Sequence, residues 1–276
     1  MIKELGKSLL FFDGGMGTLL QKAGLQPGEL PENWNIEKES VIRDIHKAYY
    51  EAGSRILLTN TFGANRIKYQ DQKYTLEQIV CAAIGNVKSV GQDIVVALDV
   101  GPTGKLLKPM GDLSFDDAYE AFKEVMMLGE KTGAQLIHIE TMSDTYEVKA
   151  AVLAAKENTA LPVFATMIFD ENGQLLTGGD VVSVVTLLEG LHVDALGINC
   201  GMGPDQMIPI LKEIRKLTSL PIIVKPNAGL PKQKDGETYY DISPEQFAKD
   251  LKEIVTCGAC VIGGCCGTTP EHIKAM

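Results

Sequence analysis

Short apolar runs alternate along the chain with longer segments that have helical spacing. The runs are rich in Val, Ile and Leu, and they are apolar on both faces, which is typical of parallel strands covered by helices. Eight runs cover residues 9–12, 55–62, 94–99, 136–141, 162–169, 195–200, 221–227 and 260–265. The helical segments cover residues 39–52, 76–90, 115–130, 146–157, 181–191, 205–217 and 244–255, and another begins at 270.

Capping residues mark where several of these helices begin. A Ser, Thr or Asp side chain at such a position accepts a hydrogen bond from a free amide of the first helical turn. The pairs are Ser114 with Asp117, Thr75 with Gln78, Asp144 with Glu147, and Ser243 with Gln246.

Eight strand-then-helix units predict an α/β fold, a single-domain (β/α)8 TIM barrel over residues 1–276. A doubly wound open sheet gives the same local pattern. The barrel is favoured because polar residues end the apolar runs, and a barrel brings all eight strand ends to one mouth. These residues are Asp13, Thr61, Asp99, Glu140, Cys200, Asn227 and Cys265.

The last unit is short, since only residues 270–276 follow the loop of the eighth strand. A closing helix needs more turns than this segment allows. Either an N-terminal segment covers that face, or the chain is a fragment of a longer modular protein. We expect the fragment.

Composition and charge exclude several classes of protein. The 276 residues are 45% hydrophobic, and the net charge is −10, so neither a nucleic acid nor an anionic membrane is an expected partner. The apolar run at residues 9–12 is too short for a signal peptide or a membrane span. Six cysteines in a chain of this length do not form a disulfide scaffold, so a cytoplasmic location is expected.

Three cysteines lie beside glycines at the ends of apolar runs. Cys265 and Cys266 lie within the sequence Gly-Gly-Cys-Cys-Gly, and Cys200 ends the sixth run. Two adjacent thiols can reach one point only where a strand ends, and zinc is a cation that thiolates share. The alternative is a buried Cys265–Cys266 pair with Cys200 as an unrelated core residue.

Three thiolates on one zinc leave a single open position, which suits activation of a substrate thiol. A zinc hydrolase would instead need histidine or carboxylate ligands and an activated water.

Three other patterns are weaker. Cys257 and Cys260 have C-x-x-C spacing, but they fall on the opposite rim of the predicted barrel. Residues 101–105 lack the glycine and the Ser or Thr of a phosphate loop. His138 is expected to be a hydrogen-bonded core residue rather than a metal ligand.

Asp13 and Glu140 end the first and fourth runs, and glycines follow Asp13. The two carboxylates could bind an ammonium group, and the glycine amides could bind a carboxylate, so that together they would hold an amino acid. The alternative for each is a loop-capping carboxylate.

Six motifs in order along almost the whole chain resemble the homocysteine S-methyltransferase family. Within that family, the chain is most similar to the N-terminal homocysteine-binding domains of cobalamin-dependent methionine synthases. The motifs lie at residues 13–18, 59–62, 139–141, 197–200, 225–229 and 263–270.

The resemblance implies a zinc site and a homocysteine site in the barrel. Cys200, Cys265 and Cys266 match the metal ligands, and the homocysteine sulfur takes the fourth place. We hypothesise that Asn227 fills that place without substrate. The resemblance also implies that Asp13 and Glu140 bind the substrate amino group, with Gly14 near its carboxylate. No catalytic side chain beyond the zinc site is predicted.

The resemblance also implies methylcobalamin as the methyl donor, carried by a corrinoid-binding domain or protein, with a folate-binding domain as a further partner. The alternative is a stand-alone enzyme that uses S-methylmethionine or betaine. Betaine recognition requires an aromatic box, and Trp34 is the only tryptophan, although Tyr239 and Tyr240 are present.

Overall fold

The computed structural model describes residues 2–69, 73–234 and 237–276. Eight parallel strands form one sheet, and each apolar run of the sequence contributes one of them. The strands are β1 Leu10–Phe11, β2 Ile56–Leu58, β3 Val95–Val100, β4 Leu136–Met142, β5 Val163–Met167, β6 Ala195–Asn199, β7 Ile222–Lys225 and β10 Ala259–Ile262. A separate antiparallel hairpin joins β8 Lys232–Lys234 to β9 Glu237–Tyr239.

Helices connect the strands on the outside of the sheet. They are α1 Met16–Lys22, α2 Trp34–Glu37, α3 Glu39–Ala52, α4 Leu76–Lys88, α5 Phe115–Thr132, α6 Thr145–Asn158, α7 Val181–Gly190, α8 Pro204–Leu217, α9 Pro244–Thr256 and α10 Pro270–Ala275. Short 3-10 helices cover Ile2–Glu4 and Pro31–Asn33. None of the helices in the described ranges combines the length and the apolar character needed to cross a membrane.

The sheet curls into a nearly closed barrel. Its strand order is β1-β10-β7-β6-β5-β4-β3-β2, so β1 and β2 are the two edges. A parallel bridge between Phe12 and Ile56 joins these edges, and the Arg55 amide donates to the Phe11 carbonyl at 3.1 Å. The predicted TIM barrel is therefore confirmed, and the open sheet is excluded.

Alternation along the strands determines which side chains reach the barrel interior. Successive side chains of a strand point to opposite faces, so residues two apart share a face. The buried interior cluster includes Val95 and Ala97 of β3 and Leu136 of β4. The same alternation continues to Asp99 on β3 and to Glu140 on β4, so charged groups extend the interior column toward the mouth.

The predicted helix starts agree with the structure. The Ser114 hydroxyl accepts from the Asp117 amide at 3.1 Å, and Thr75 forms a capping box with Gln78. Ser243 caps α9 in the same way. Asp144 also caps α6, although it accepts from the Tyr146 amide rather than from the amide of Glu147.

Several features differ from the sequence prediction. Strand β2 ends at Leu58 and not at residue 62, and the hairpin of β8 and β9 was not predicted. The eighth strand was expected to reach Cys265, but β10 ends at Ile262 because the following amides bond to neighbouring loops and not to a strand. Helices α1 and α2 fill the long connection between β1 and α3, which the hydrophobic pattern left without elements. Leu20 of α1 and Trp34 of α2 pack with Ile42 of α3 as a small separate buried cluster.

Candidate active site

A cavity of about 260 Å³ opens at the mouth of the barrel, at the carboxyl ends of the parallel strands. Active sites of TIM barrels lie at this end, because the loops after all eight strands meet there. Of the seven polar residues predicted to meet at the mouth, Asp13, Asp99, Glu140, Cys200 and Cys265 line the cavity. Thr61 and Asn227 are buried beside it and are not part of the lining. Gly14 and Cys266 also line the cavity.

Cys200, Cys265 and Cys266 converge at the cavity wall. Their sulfur atoms all lie within 4.8 Å of one another, and the sulfurs of Cys200 and Cys266 are 3.9 Å apart. Among the residues that the structure describes, this is the one cluster of three or more Cys, His, Asp or Glu side chains close enough to share a metal ion.

The cysteine pair lies in a turn that neighbouring loops hold in place. The Gly264 amide donates to the Asp13 carbonyl at 2.9 Å, and the Cys265 amide donates to the Pro226 carbonyl at 2.8 Å. The Ala228 amide in turn donates to the Cys266 carbonyl at 3.0 Å. Because these bonds replace strand pairing, both sulfurs can face the same side.

Cys200 reaches the pair through an unusual backbone conformation. It follows the last residue of β6 with a φ of 61°, in the left-handed region that costs a non-glycine residue on the order of 1 kcal/mol or more. Its amide donates to the Lys225 carbonyl at 3.1 Å, which keeps it beside β7. Such strain is typical of residues whose side chain has a functional position.

The three thiols suppress one another's ionisation. Hydrogen bonding with Cys265 lowers the pKa of Cys200, but hydrogen bonding with Cys266 and burial together raise it to about 12. Hydrogen bonding with Cys200 and burial raise the pKa of Cys265 well above its usual value. The cluster is therefore neutral at pH 7 unless a cation stabilises the thiolates, and loading a metal would release protons.

The donor set of this cluster fits zinc. Three sulfurs are the ligands that zinc prefers, and a fourth position remains for a substrate or another side chain. Asn227 is 3% exposed, and its Oδ1 is buried without a hydrogen-bond partner among the described residues. The main chain on either side of it, at Pro226 and Ala228, is hydrogen-bonded to the main chain of the cysteine pair.

Asn199 is a site residue that the sequence analysis did not single out. Its Oδ1 accepts from the Thr141 amide and the Thr166 hydroxyl, both at 2.8 Å. Its Nδ2 donates to the Thr141 hydroxyl at 2.7 Å and lies 3.9 Å from the sulfur of Cys265. The buried amide thus ties three strand ends together and offers an N–H to a sulfur. Its place directly before Cys200 was the available indication.

Glu140 forms a buried ion pair with Lys225, a second residue that the analysis did not single out. The Lys225 ammonium donates to Glu140 Oε2 and lies 4.8 Å from the ring centre of Phe12. Although burial acts in the opposite direction, this ammonium holds the pKa of Glu140 below its usual range. Glu140 is therefore an anion in the cavity wall.

His138 lies in the barrel core below Glu140, as expected, but the expected hydrogen bond is not found: both ring nitrogens are buried without a hydrogen-bond partner among the described residues. Its Nε2 is 3.3 Å from Glu140 Oε2, and its ring lies tilted by 36° against that of Phe12, with centroids 4.7 Å apart. Burial, with a smaller contribution from the Lys225 ammonium, lowers the pKa of His138 to about 4. The imidazole is thus neutral at pH 7.

Asp13 has one bonded and one free carboxylate oxygen. Oδ2 accepts from the Leu58 amide at 2.9 Å, whereas Oδ1 is buried and has no partner in the described part of the chain. Burial raises the pKa of Asp13 to about 7, against the opposing effect of Lys225.

The shift of Asp13 predicts a pH-dependent stability. Because the folded pKa exceeds the unfolded value of 3.8, the folded state binds more protons and loses stability as the pH rises from about 4 to about 7. Asp13→Asn should remove this loss. The free energy of unfolding of the variant should therefore rise relative to that of the wild type as the pH increases, by up to about 4 kcal/mol at pH 8. Urea unfolding of both proteins from pH 4 to pH 8 measures the difference; a constant difference would contradict the prediction.

Gly14 and Gly15 allow the first and last loops to approach each other closely. A Cβ at Gly14 would lie 2.7 Å from the Thr268 hydroxyl and 2.8 Å from that of Tyr49. The Gly15 amide donates to the Thr268 hydroxyl, and the Tyr49 hydroxyl donates to carbonyls of Gly15 and Thr268. The Gly15 amide therefore already has a hydrogen-bond partner in the Thr268 hydroxyl. Gly14 also faces the cavity, and its amide takes no part in that hydrogen bond.

The C-x-x-C pair does not join the site. Cys257 caps the C-terminus of α9, and Cys260 lies in β10 with its sulfur 3.9 Å from the Ile222 carbonyl. Both lie toward the amino ends of the strands, away from the mouth.

Comparison with known proteins assigns the chain to a family. The family model described as homocysteine S-methyltransferase matches residues 10–276. The chain belongs to the homocysteine S-methyltransferase family. The family resemblance inferred from the motifs is thus confirmed.

Relatives within the homocysteine S-methyltransferase family include long and short proteins. The methionine synthases of Mycobacterium tuberculosis and Mycobacterium leprae are 31% and 30% identical over 299 aligned residues, which cover 100% of this chain. The chain spans about a quarter of the length of these relatives, 25% and 24%.

A solved structure of similar size is the apo form of the homocysteine methyltransferase MmuM from Escherichia coli. It is 25% identical, with a TM-score of 0.77, and the match covers 97% of this chain and 94% of that one.

Proposed function

We propose that this methyltransferase transfers a methyl group to the thiol of L-homocysteine and so forms methionine. The new bond joins the sulfur to the methyl carbon, the bond from that carbon to the donor breaks, and the thiol proton is released. The convergence of three sulfurs within 4.8 Å beside buried carboxylates in one cavity is the observation that carries the proposal.

Zinc is the proposed cofactor, with Cys200, Cys265 and Cys266 as its ligands. The unpartnered Oδ1 of Asn227 supports this residue as the fourth ligand when no substrate is bound. When bound, zinc supplies charge that keeps a substrate thiol ionised at neutral pH, where a free thiol is only a few per cent ionised.

The carboxylates of Asp13 and Glu140 are the proposed partners of the substrate ammonium group. Both carboxylates are buried in the cavity lining, and the Lys225 ammonium keeps Glu140 ionised. Gly14 lies at the cavity wall, and the substrate carboxylate is proposed to bind beside its backbone. Held at both groups, the amino acid would direct its side-chain thiol to the cysteine cluster, so that binding orients the nucleophile.

The proposed methyl donor is a methylated corrinoid, brought by another domain or protein. The length of the methionine synthase relatives supports this role as a homocysteine-activating domain, and a folate-binding domain is a further proposed partner. The cytoplasmic location expected from the sequence stays a prediction.

Large exposed apolar side chains lie on loops at the end of the barrel where the cavity opens, and they support a docking partner at that end. They lie on loops that follow the carboxyl ends of strands: Phe62, Leu106, Met110, Leu176 and Leu230. Leu176 is 75% exposed and Met110 is 58% exposed, which is unfavourable for apolar side chains unless something covers them.

Leu176→Asp should slow methyl transfer from a methylated corrinoid protein by roughly tenfold, because a charge would be buried at the interface. The rate with free methylcobalamin should change by less than about twofold, since the free cofactor does not need the rim. Met127→Asp is the matched control, because Met127 is 47% exposed on α5, away from the mouth. Equal slowing with both donors would refute the docking role.

A stand-alone enzyme using S-methylmethionine is the second candidate, because MmuM matches this chain over 94% of its own length. Betaine has less support. Trp34 is 2% exposed and the Lys38 ammonium lies 3.6 Å from its ring centre, so this ring face is not free for a quaternary ammonium.

One assay distinguishes these donors. The zinc-loaded chain is incubated with L-homocysteine and, separately, with methylcobalamin, S-methylmethionine or betaine, and methionine is measured. Methionine from methylcobalamin alone supports the corrinoid proposal. Methionine from S-methylmethionine supports the second candidate, and no methionine from any donor, free or protein-bound, would refute the proposed function.

A further inference from the structure

Asp99 brings a third carboxylate to the cavity. It lies on β3, it is 7% exposed, and it lines the same cavity as Asp13 and Glu140. Its Oδ1 is buried and has no hydrogen-bond partner in the described part of the chain. A buried carboxylate oxygen without a hydrogen-bond donor costs free energy. The Asp99 carboxylate is therefore expected to bind a partner that the protein chain itself does not provide.

Two threonines fix the position of Asp99 through its backbone. The Asp99 amide donates to the Thr59 hydroxyl at 3.1 Å, and the Thr61 hydroxyl donates to the Asp99 carbonyl at 2.7 Å. The two hydroxyls are themselves 2.7 Å apart, and both threonines are buried. Because these bonds use only main-chain atoms of Asp99, they hold its side chain at the cavity and leave the carboxylate available.

Acidic groups outnumber basic groups around Asp99. Glu140, Asp13 and, farther away, Glu32 are acidic neighbours, and Lys225 is the basic one. Lys225 donates to Glu140, which leaves Asp13 Oδ1 and Asp99 Oδ1 without donors. Burial and the nearby Glu140 carboxylate both raise the pKa of Asp99 well above its usual value. A cation in the cavity would stabilise the ionised forms of Asp13 and Asp99, which the folded chain alone disfavours.

A primary ammonium group matches this arrangement, because it has a positive charge and three N–H donors. Asp13, Asp99 and Glu140 present three carboxylates to the same space. We propose that Asp99 is a specificity residue, whose carboxylate binds the α-ammonium group of the amino-acid substrate together with Asp13 and Glu140. This inference rests on the proposed function and deepens it: the site selects thiols that carry a free α-amino group.

Asp99→Asn tests the proposal with two thiols in the zinc-loaded protein. L-Homocysteine has the α-ammonium group, and 4-mercaptobutanoate is the same thiol acid without it. Calorimetric titration should show that Asp99→Asn weakens L-homocysteine binding by about ten- to a hundredfold, as expected for a charge-assisted hydrogen bond. Binding of 4-mercaptobutanoate should change by less than about threefold, since it makes no bond to this carboxylate.

Two further variants complete the design. Asp99→Ser also keeps the backbone bonds to the threonines, so it should fold and should show the same selective loss. Glu147→Gln is the matched control, because Glu147 is a buried carboxylate that accepts from the Thr103 amide and hydroxyl outside the cavity. It should leave the ratio of the two affinities unchanged. Zinc content, measured for every variant, should stay at the wild-type value.

Each outcome has a distinct meaning. A selective loss of L-homocysteine affinity supports the role of Asp99. An equal loss for both thiols, or no loss for either, overturns it and leaves Asp99 as a structural carboxylate. If the wild type binds neither thiol, the proposed function fails, whatever the variants do.

Discussion

Cys265→Ala should abolish both zinc binding and methyl transfer. Wild-type protein is expected to hold about one zinc per chain, because the three sulfurs remain ligands whether Asn227 or the substrate takes the fourth position of the tetrahedral site. Removing Cys265 leaves two sulfurs, Cys200 and Cys266, at 3.9 Å. The rate of methyl transfer should fall by more than about a hundredfold. Mutating a residue that only hydrogen-bonds to a metal ligand already lowers metal affinity or activity by about 10- to 100-fold. Elemental analysis after dialysis and a methionine assay measure the two effects.

The control is a cysteine five residues before Cys265 in the sequence. Cys260 is half-buried, as Cys265 is, but it lies in β10 toward the other end of the barrel. Cys260→Ala should keep its zinc and its activity, and Cys257→Ala should do the same. If either of these variants loses the metal while Cys265→Ala retains it, the assignment of the metal site is wrong.

Lys225→Met should destabilise the folded protein by about 3–5 kcal/mol at pH 7, because it leaves Glu140 buried without its counter-charge. Lys225 is 1% exposed, so water does not replace the lost ammonium. Urea unfolding of the zinc-loaded proteins measures the free energy of unfolding. The effect is large relative to the total stability of a protein, about 5–15 kcal/mol.

A double variant separates the charge from the packing of Lys225. Lys225→Met with Glu140→Gln removes both charges and should recover a large part of the lost stability. Lys131→Met is the surface control, because Lys131 pairs with Glu77 where both side chains are exposed, and it should change stability by less than about 1 kcal/mol. If the free energy of unfolding of Lys225→Met lies within about 1 kcal/mol of the wild-type value, the ion pair is not a structural requirement.

Local patterns in the sequence were sufficient for the fold. Helix α3 begins and ends at the predicted residues, because its apolar face and its C-terminal Gly53, with a φ of 117°, are local features. Caps such as Thr75 and Ser114 likewise depend on neighbours three residues away. The barrel itself followed from counting strand-then-helix units, since that repeat leaves few possible topologies.

The charged interior of the barrel was not predictable in the same way. Lysine is mostly exposed in proteins, so a lysine at the end of an apolar run gives no indication that it pairs with Glu140, 85 residues earlier. The contact between Asn199 and Cys265 also joins distant segments. Both depend on which strands become neighbours in the closed barrel. The cysteines could be predicted, because glycines beside them already indicated a turn.

The bonds between the Gly15 loop and Thr268 have a consequence for synthesis. They join residues 253 positions apart, and the Tyr49 hydroxyl bonds to both loops. During translation Asp13 and Gly14 therefore emerge long before residues 259–268, and β1 lacks β10, the strand with which it pairs, until those residues emerge. Contacts of such separation form slowly, and the unpaired edge is open to wrong associations meanwhile. Chaperone binding during translation should concentrate on chains that have not yet released residues 259–268.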